Sequence, residues 1–65
     1  MKVNAVIITE DNKRVLVPSR KHIYHNSIQL AIRKLEGLRI AGRGIVFKCG
    51  TDGNDVNNWL TTIAL

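Results

Sequence analysis

The chain is poor in the residues on which several kinds of small protein depend. It has one cysteine and one proline among 65 residues. A single cysteine excludes an internal disulfide framework, which very small secreted domains usually need. We therefore expect a reducing, cytoplasmic setting. One proline and five glycines exclude a proline-rich or glycine-rich linker, and the short length predicts a single domain over residues 1–65.

Long hydrophobic runs are also lacking. The apolar runs are only a few residues long, whereas a membrane-spanning helix needs about 20 apolar residues. The segment VNAVIITEDN becomes charged too early for a signal peptide and has no small-residue cleavage site. We expect no membrane partner. Because 45% of the residues are hydrophobic, the composition still predicts a folded protein rather than a disordered one.

Acidic residues are few, and the charge is unevenly distributed. Ten lysines and arginines face five acidic residues, for a net charge of +5. Between positions 14 and 48 the only acidic residue is Glu36. The basic residues of that block are Arg14, Arg20, Lys21, Arg33, Lys34, Arg39, Arg43 and Lys48. Such a block suggests an anionic partner, although charge also serves solubility alone.

Alternating β-branched residues predict strands at the start of the chain. KVNAVIIT predicts a strand over residues 2–9, and EDNK predicts a tight turn. RVLVP then predicts a second strand that ends at Pro18, which cannot donate to a sheet. These two strands would form an N-terminal β-hairpin. GRGIVFKCG predicts a third strand, bracketed by glycines.

A helix is predicted over residues 27–36, with a weaker extension over 38–41. Its apolar residues recur at helical spacing on one face. They are Ile28, Ala31, Ile32 and Leu35. Asn26, with Gln29 three residues later, predicts a capping box at the start. Gly37 is expected to adopt the left-handed conformation that ends many helices.

The tail VNNWLTTIAL fits two structures. Val56, Trp59, Leu60 and Ile63 have helical spacing, whereas the β-branched residues and tryptophan favour a strand over residues 59–64, which we prefer. The chain is therefore predicted to be a small two-layer α+β domain. It would have an antiparallel sheet of three to four strands, with the N-terminal β-hairpin, and one main α-helix packed on one face.

This arrangement divides the apolar residues between two faces of the sheet. The expected core on the helix side is Val3, Ala5, Ile7, Val15, Val17, Ile28, Ala31, Ile32, Leu35, Val46 and either Trp59 or Leu60. The other face, with Val6, Ile8 and Leu16, would be left open, which suggests a homodimer or a partner surface. The alternative is that the hairpin or the tail covers it.

Residues that could carry chemistry are sparse. His22, His25 and Cys49 form the only metal-like constellation, and a structural zinc site needs four ligands. No nucleophile elbow accompanies a serine or the cysteine. We therefore expect no enzyme activity, metal or other cofactor. Both histidines are expected in a solvated connector, and Cys49 is expected to pack as a small apolar residue.

Binding is the remaining class of function. The residues expected to contact a partner lie before the helix, on its outer face and in the glycine-rich segment after it. They are Arg20, Lys21, His22, Tyr24, Arg33, Lys34, Arg39 and Arg43. The leading hypothesis is a regulatory nucleic-acid-binding protein that contacts the phosphate backbone, with Tyr24 stacking on a base. The alternative is a small inhibitor or adaptor, of phage or mobile-element type, that binds an acidic face of a host protein.

Overall fold

A computed structural model describes the whole chain, Met1–Leu65. The elements are, in order, β1 (Val3–Thr9), β2 (Arg14–Leu16), α1 (Ile28–Gly37), β3 (Gly42–Lys48) and β4 (Trp59–Ala64), with a short 3-10 turn (Val56–Asn58) before β4. The strands form one antiparallel sheet in the order β2-β1-β3-β4. The helix packs on one face of this sheet. The predicted α+β fold with its N-terminal hairpin is confirmed.

The tail of the chain is the strand that we preferred over a helix. In β4, Thr61 pairs with Val46 and Trp59 pairs with Phe47 of β3. A bulge interrupts this ladder between Val46 and Phe47. Because a bulge changes the alternation of side chains, Leu60 packs with the residues under the helix while Trp59 packs on the opposite face.

The core under the helix is close to the predicted one. Its buried residues are Val3, Ala5, Ile7, Val17, Ala31, Leu35 and Val46. Ile28, Ile32 and Leu60 are partly buried against them. Val15 was also expected in the core, but it is exposed. It lies on β2, a three-residue strand at the edge of the sheet, where no further strand covers its side.

The second face of the sheet is not open, which corrects the expectation from the sequence. Val6 is only 1% exposed, and Ile45 and Phe47 are also buried. A covering segment, residues 50–58, lies over them. Gly53 sits so close to the Phe47 ring that a Cβ there would be 2.7 Å from its Cζ atom. Of the residues expected on an open face, Leu16 is the one that remains exposed, at 51%.

Hydrogen bonds hold the covering segment in place. The indole Nε1–H of Trp59 donates to the carbonyl of Gly53 over 2.7 Å. The backbone N–H of Gly50 donates to Oδ1 of Asn4 over 3.3 Å, and Asp55 caps the 3-10 turn that leads into β4. One face of the sheet is therefore covered by α1, and most of the other face is covered by the covering segment.

Both ends of the helix differ from the prediction. Ser27, not Asn26, is the N-cap, and its hydroxyl accepts from the N–H of Leu30 over 3.2 Å. Gly37 lies inside the helix, and the left-handed residue after the helix is Arg39, with φ of 56°. The weaker helical extension over 38–41 does not form. With ten residues in α1, no helix of the molecule is long and apolar enough to cross a lipid bilayer.

Candidate nucleic-acid interface

The connector between β2 and α1 is anchored to the sheet by His25. Its backbone exchanges two hydrogen bonds with Val3, of 2.9 and 2.7 Å. The Nε2 atom of its ring lies 2.8 Å from the carbonyl oxygen of Val17. Since a carbonyl only accepts, the Nε2 atom carries the proton and donates. His25 is 3% exposed, which corrects the expectation that both histidines lie in a solvated connector. Only His22 is exposed.

A tight turn presents the first two cations of the connector. The hydroxyl of Ser19 accepts from the N–H of His22 over 3.1 Å and donates to the carbonyl of His22 over 2.8 Å. The N–H of Ser19 also donates to that carbonyl, over 2.9 Å. Arg20 and Lys21 occupy the tip of this turn and are exposed. Local hydrogen bonds therefore fix the backbone from which both side chains project.

Tyr24 already has partners for its ring. The imidazole of His22 stacks on it with 4.7 Å between ring centroids and an interplanar angle of 3°. The Nζ atom of Lys2 lies 4.5 Å from the Tyr24 centroid. Such a cation–π contact contributes about 0.5–1 kcal/mol at an exposed site. A base that stacked on Tyr24 would have to replace one of these contacts.

The connector and the outer face of α1 together form a groove with a volume of about 980 Å³, which we call the basic groove. It is lined by Ser19, Arg20, Lys21, His22, His25, Asn26, Leu30, Arg33, Lys34, Gly37 and Leu38. Four of these residues are lysines or arginines, and none is acidic. The only ion pair in the molecule joins Lys13 to Asp11 over 3.6 Å. The positive charge of the groove is therefore not neutralised by any carboxylate.

Two leucines give the basic groove an apolar component. Leu30 and Leu38 line it, and they are 46% and 38% exposed. Leu30, Lys34 and Leu38 are spaced four residues apart, so they line the same side of the helix, and Arg33 lies beside them. A ligand in the groove would therefore contact apolar surface as well as cations.

Three of the expected contact residues, Tyr24, Arg39 and Arg43, do not line the basic groove. Arg39 follows the helix and lines a shallow surface with Glu36 and Leu65. Arg43 is on the far side of the sheet, because it pairs with Ile8 on the face that the covering segment occupies. The structure thus brings together Arg20, Lys21, His22, Arg33 and Lys34.

A second groove, with a volume of about 420 Å³, was not predicted from the sequence. We call it the sheet-face groove. It lies between the covering segment and one end of the sheet. Its lining residues are Ile8, Thr9, Asn12, Arg14, Arg43, Ile45, Gly53, Asn54 and Trp59. The alternation of β1 and β3 could have placed Ile8, Arg43 and Ile45 on one face. The position of Arg14 additionally depends on the register of the hairpin.

Cys49 does not pack as a small apolar residue. It is a free cysteine, exposed in the turn after β3, and it lines neither of the two grooves. No group of three histidine, cysteine, aspartate or glutamate residues converges as metal ligands would. His25 is buried with its ring on the carbonyl of Val17, whereas His22 and Cys49 are exposed, so the three residues that looked metal-like in the sequence have different surroundings.

Comparison with known proteins finds no relative on which a function could be based. No protein-family model matches the chain, and no curated protein or solved structure is significantly similar to it.

Proposed function

We propose that this protein is a non-enzymatic, cytoplasmic regulatory module that binds nucleic acid through the phosphate backbone. The observation that carries the proposal is the basic groove, in which Arg20, Lys21, Arg33 and Lys34 converge without a carboxylate. A concave surface of one charge concentrates the electrostatic potential and attracts a polyanion. The single free cysteine supports the reducing location.

The chemistry of the groove suits phosphate groups better than base edges. Arginine guanidinium groups bind phosphate oxygens through two parallel hydrogen bonds, and lysine binds them as a point charge. The groove offers both, and His22 adds a ring that can donate a further hydrogen bond. Phosphate contacts carry no sequence information. We therefore expect binding with little sequence preference.

The test is the salt dependence of binding to a short fluorescent oligonucleotide, followed by anisotropy. Each neutralised phosphate releases condensed counterions, so the affinity falls with salt. With four cations in the groove, log K should fall against log salt with a slope of about −3 to −4 for a duplex, and somewhat less for a single strand.

Substitutions test whether the salt dependence of binding arises from the basic groove. Arg33→Gln with Lys34→Gln should reduce it by about 2, because two phosphate contacts are lost. Arg39→Gln is the control for the loss of a charge elsewhere, since Arg39 is exposed but lies outside the groove. A slope near zero in the unmodified protein, or an equal loss in the Arg39→Gln control, would contradict the proposal.

A second function is favoured by one observation, the exposed leucines of the basic groove. Phosphate groups make no favourable contact with the apolar side chains of Leu30 and Leu38. Protein interfaces, in contrast, combine an apolar centre with a polar rim. The alternative is therefore an inhibitor or adaptor, of phage or mobile-element type, that binds an acidic face of a host protein. Leu30→Ser with Leu38→Ser should abolish such a complex and leave nucleic-acid binding unchanged. Nuclease treatment should leave the protein complex intact.

A homodimer was the remaining partner suggested by the sequence. It depended on an open sheet face, and most of that face is covered. Leu16 remains exposed, and β4 has a free edge because it is the last strand of the sheet. Sedimentation over a range of protein concentrations tests whether the protein self-associates, and Leu16→Ser tests whether Leu16 takes part.

A further inference from the structure

The sheet-face groove holds two arginines in one row across three strands. Ile8 of β1 pairs with Arg14 on one side and with Arg43 on the other. Neighbouring strands are about 4.8 Å apart, so the two arginine Cα atoms are separated by roughly 10 Å. Residues paired across antiparallel strands project to the same face. Two guanidinium groups on such a spacing can reach one anion from opposite sides.

The Arg14 side chain is held in place. Its Cζ atom lies 5.8 Å from the centroid of the Phe47 ring. Its guanidinium also fills the space beside Gly53, where a Cβ atom would overlap it. Neither Arg14 nor Arg43 forms an ion pair. Arg14 is thus held by packing, the exposed Arg43 lies on the same face, and a bound anion would relieve the repulsion between the two cations.

The rest of the groove combines apolar and polar residues and includes one large aromatic ring. Ile8 and Ile45 line it beside the partly exposed Trp59. The indole is fixed by its hydrogen bond to Gly53. Thr9, Asn12 and Asn54 add polar groups to the lining. A volume of about 420 Å³ falls within the usual range for small-molecule sites, roughly 300–1,000 Å³.

We propose that the sheet-face groove is a second, separate binding site, and that its ligand is a nucleoside phosphate. The phosphate binds between Arg14 and Arg43, and the base packs beside Trp59. The ligand is either a free nucleotide or one nucleotide of a single strand, because both present the same chemistry. This site shares no residue with the basic groove and lies on the opposite side of the sheet, so either proposal can fail without the other.

Trp59 provides a specific signal because it is the only tryptophan. Titration with uridine monophosphate, excited at the red edge of tryptophan absorption, should give saturable quenching. Inorganic phosphate should compete without quenching as strongly, since it lacks the base. Uridine, which lacks the phosphate, should bind at least roughly tenfold more weakly, because the contacts to charged groups are lost.

Substitutions locate the site. Arg43→Gln should weaken the binding of uridine monophosphate by roughly tenfold. Arg39→Gln removes the same charge elsewhere and should have no effect, and neither should Arg33→Gln with Lys34→Gln in the basic groove. Arg14→Gln should match Arg43→Gln. Because Arg14 also packs on Phe47, circular dichroism must first show that the variant is folded, and the exposed Arg43 gives the decisive result.

A comparison of oligouridylate with uridine monophosphate identifies the source of the ligand. Tighter binding of the strand that is lost in Arg43→Gln indicates a nucleotide within single-stranded nucleic acid, and equal affinities indicate a free nucleotide. The proposal is overturned if uridine monophosphate gives no saturable quenching at millimolar concentration. It is also overturned if Arg39→Gln reduces the quenching as much as Arg43→Gln does.

Discussion

Two histidines three positions apart in the sequence have opposite surroundings. His22 is exposed and stacks on Tyr24. His25 is buried, and it joins the start of β1 to the end of β2 through Val3 and Val17. Spacing alone could not separate these two roles, because the hydrogen-bond partners of His25 come from distant parts of the chain. His25, which looked like a metal ligand in the sequence, instead anchors the connector to the sheet by hydrogen bonds.

We expect His25→Ala to lower the free energy of unfolding by about 1–3 kcal/mol, because the buried carbonyl of Val17 loses its donor. His22→Ala should change it by less than about 0.5 kcal/mol, as is usual at the surface. Urea unfolding followed by circular dichroism measures both. Equal effects of the two substitutions would show that the His25 hydrogen bond does not stabilise the fold as described.

At the level of strands and helices, sequence patterns predicted which elements form but not where the helix begins. The alternation in β1 and the helical spacing in α1 each identify a structure and a buried face, and both are confirmed. The start of α1 was placed one residue too early. Because His25 is still paired with Val3 in extended backbone, the chain can turn into a helix only after Asn26, and Ser27 is then the capping residue.

Substitution of the cap tests this boundary. Ser27→Ala should lower the free energy of unfolding by about 1 kcal/mol, because the N–H of Leu30 loses its acceptor. Asn26→Ala, one position earlier, should have a much smaller effect, since the Asn26 side chain makes no hydrogen bond across the first turn. Thermal and denaturant unfolding of the two variants give the comparison. A larger effect at Asn26 would restore the boundary predicted from the sequence.

The two grooves differ in how far the sequence could predict them. Arg20 and Lys21 are neighbours in the chain, as are Arg33 and Lys34, so the basic groove needed only the packing of one connector beside one helix. The sheet-face groove depends on strand register and on Gly53 lying against Phe47. Local patterns do not specify either of these long-range contacts. For the same reason the covered second face could not be told from an open one.

The molecule as a whole carries more positive charge than its own carboxylates balance. It has a net charge of +5 and a single ion pair. The like charges that line the basic groove repel one another and oppose the compact state. On the proposed function, the basic groove would therefore lower the stability of the protein when no anion is bound, which is a common trade-off between stability and function.

Removal of this repulsion should stabilise the protein. We expect Arg20→Gln with Lys21→Gln to raise the free energy of unfolding by roughly 0.5 kcal/mol at low salt. The gain should disappear at physiological ionic strength, where the screening length falls to about 8 Å. On the proposed function, the same variant should also lose affinity for nucleic acid.

Lys13→Gln provides the control for that measurement. It also removes a positive charge, but it breaks the ion pair with Asp11, so no stabilisation is expected. Thermal unfolding at two salt concentrations distinguishes the variants. If Arg20→Gln with Lys21→Gln is less stable than the parent at low salt, the groove is not a centre of repulsion.

Cys49 has a practical consequence for the study of both grooves. It is the sole thiol of the chain, it is exposed, and it lines neither concave surface. A maleimide reagent would therefore attach at one position and leave both surfaces accessible. Molecules tethered to a support through this sulfur would all have the same orientation, so ligands of the two sides could be compared on a single immobilised sample.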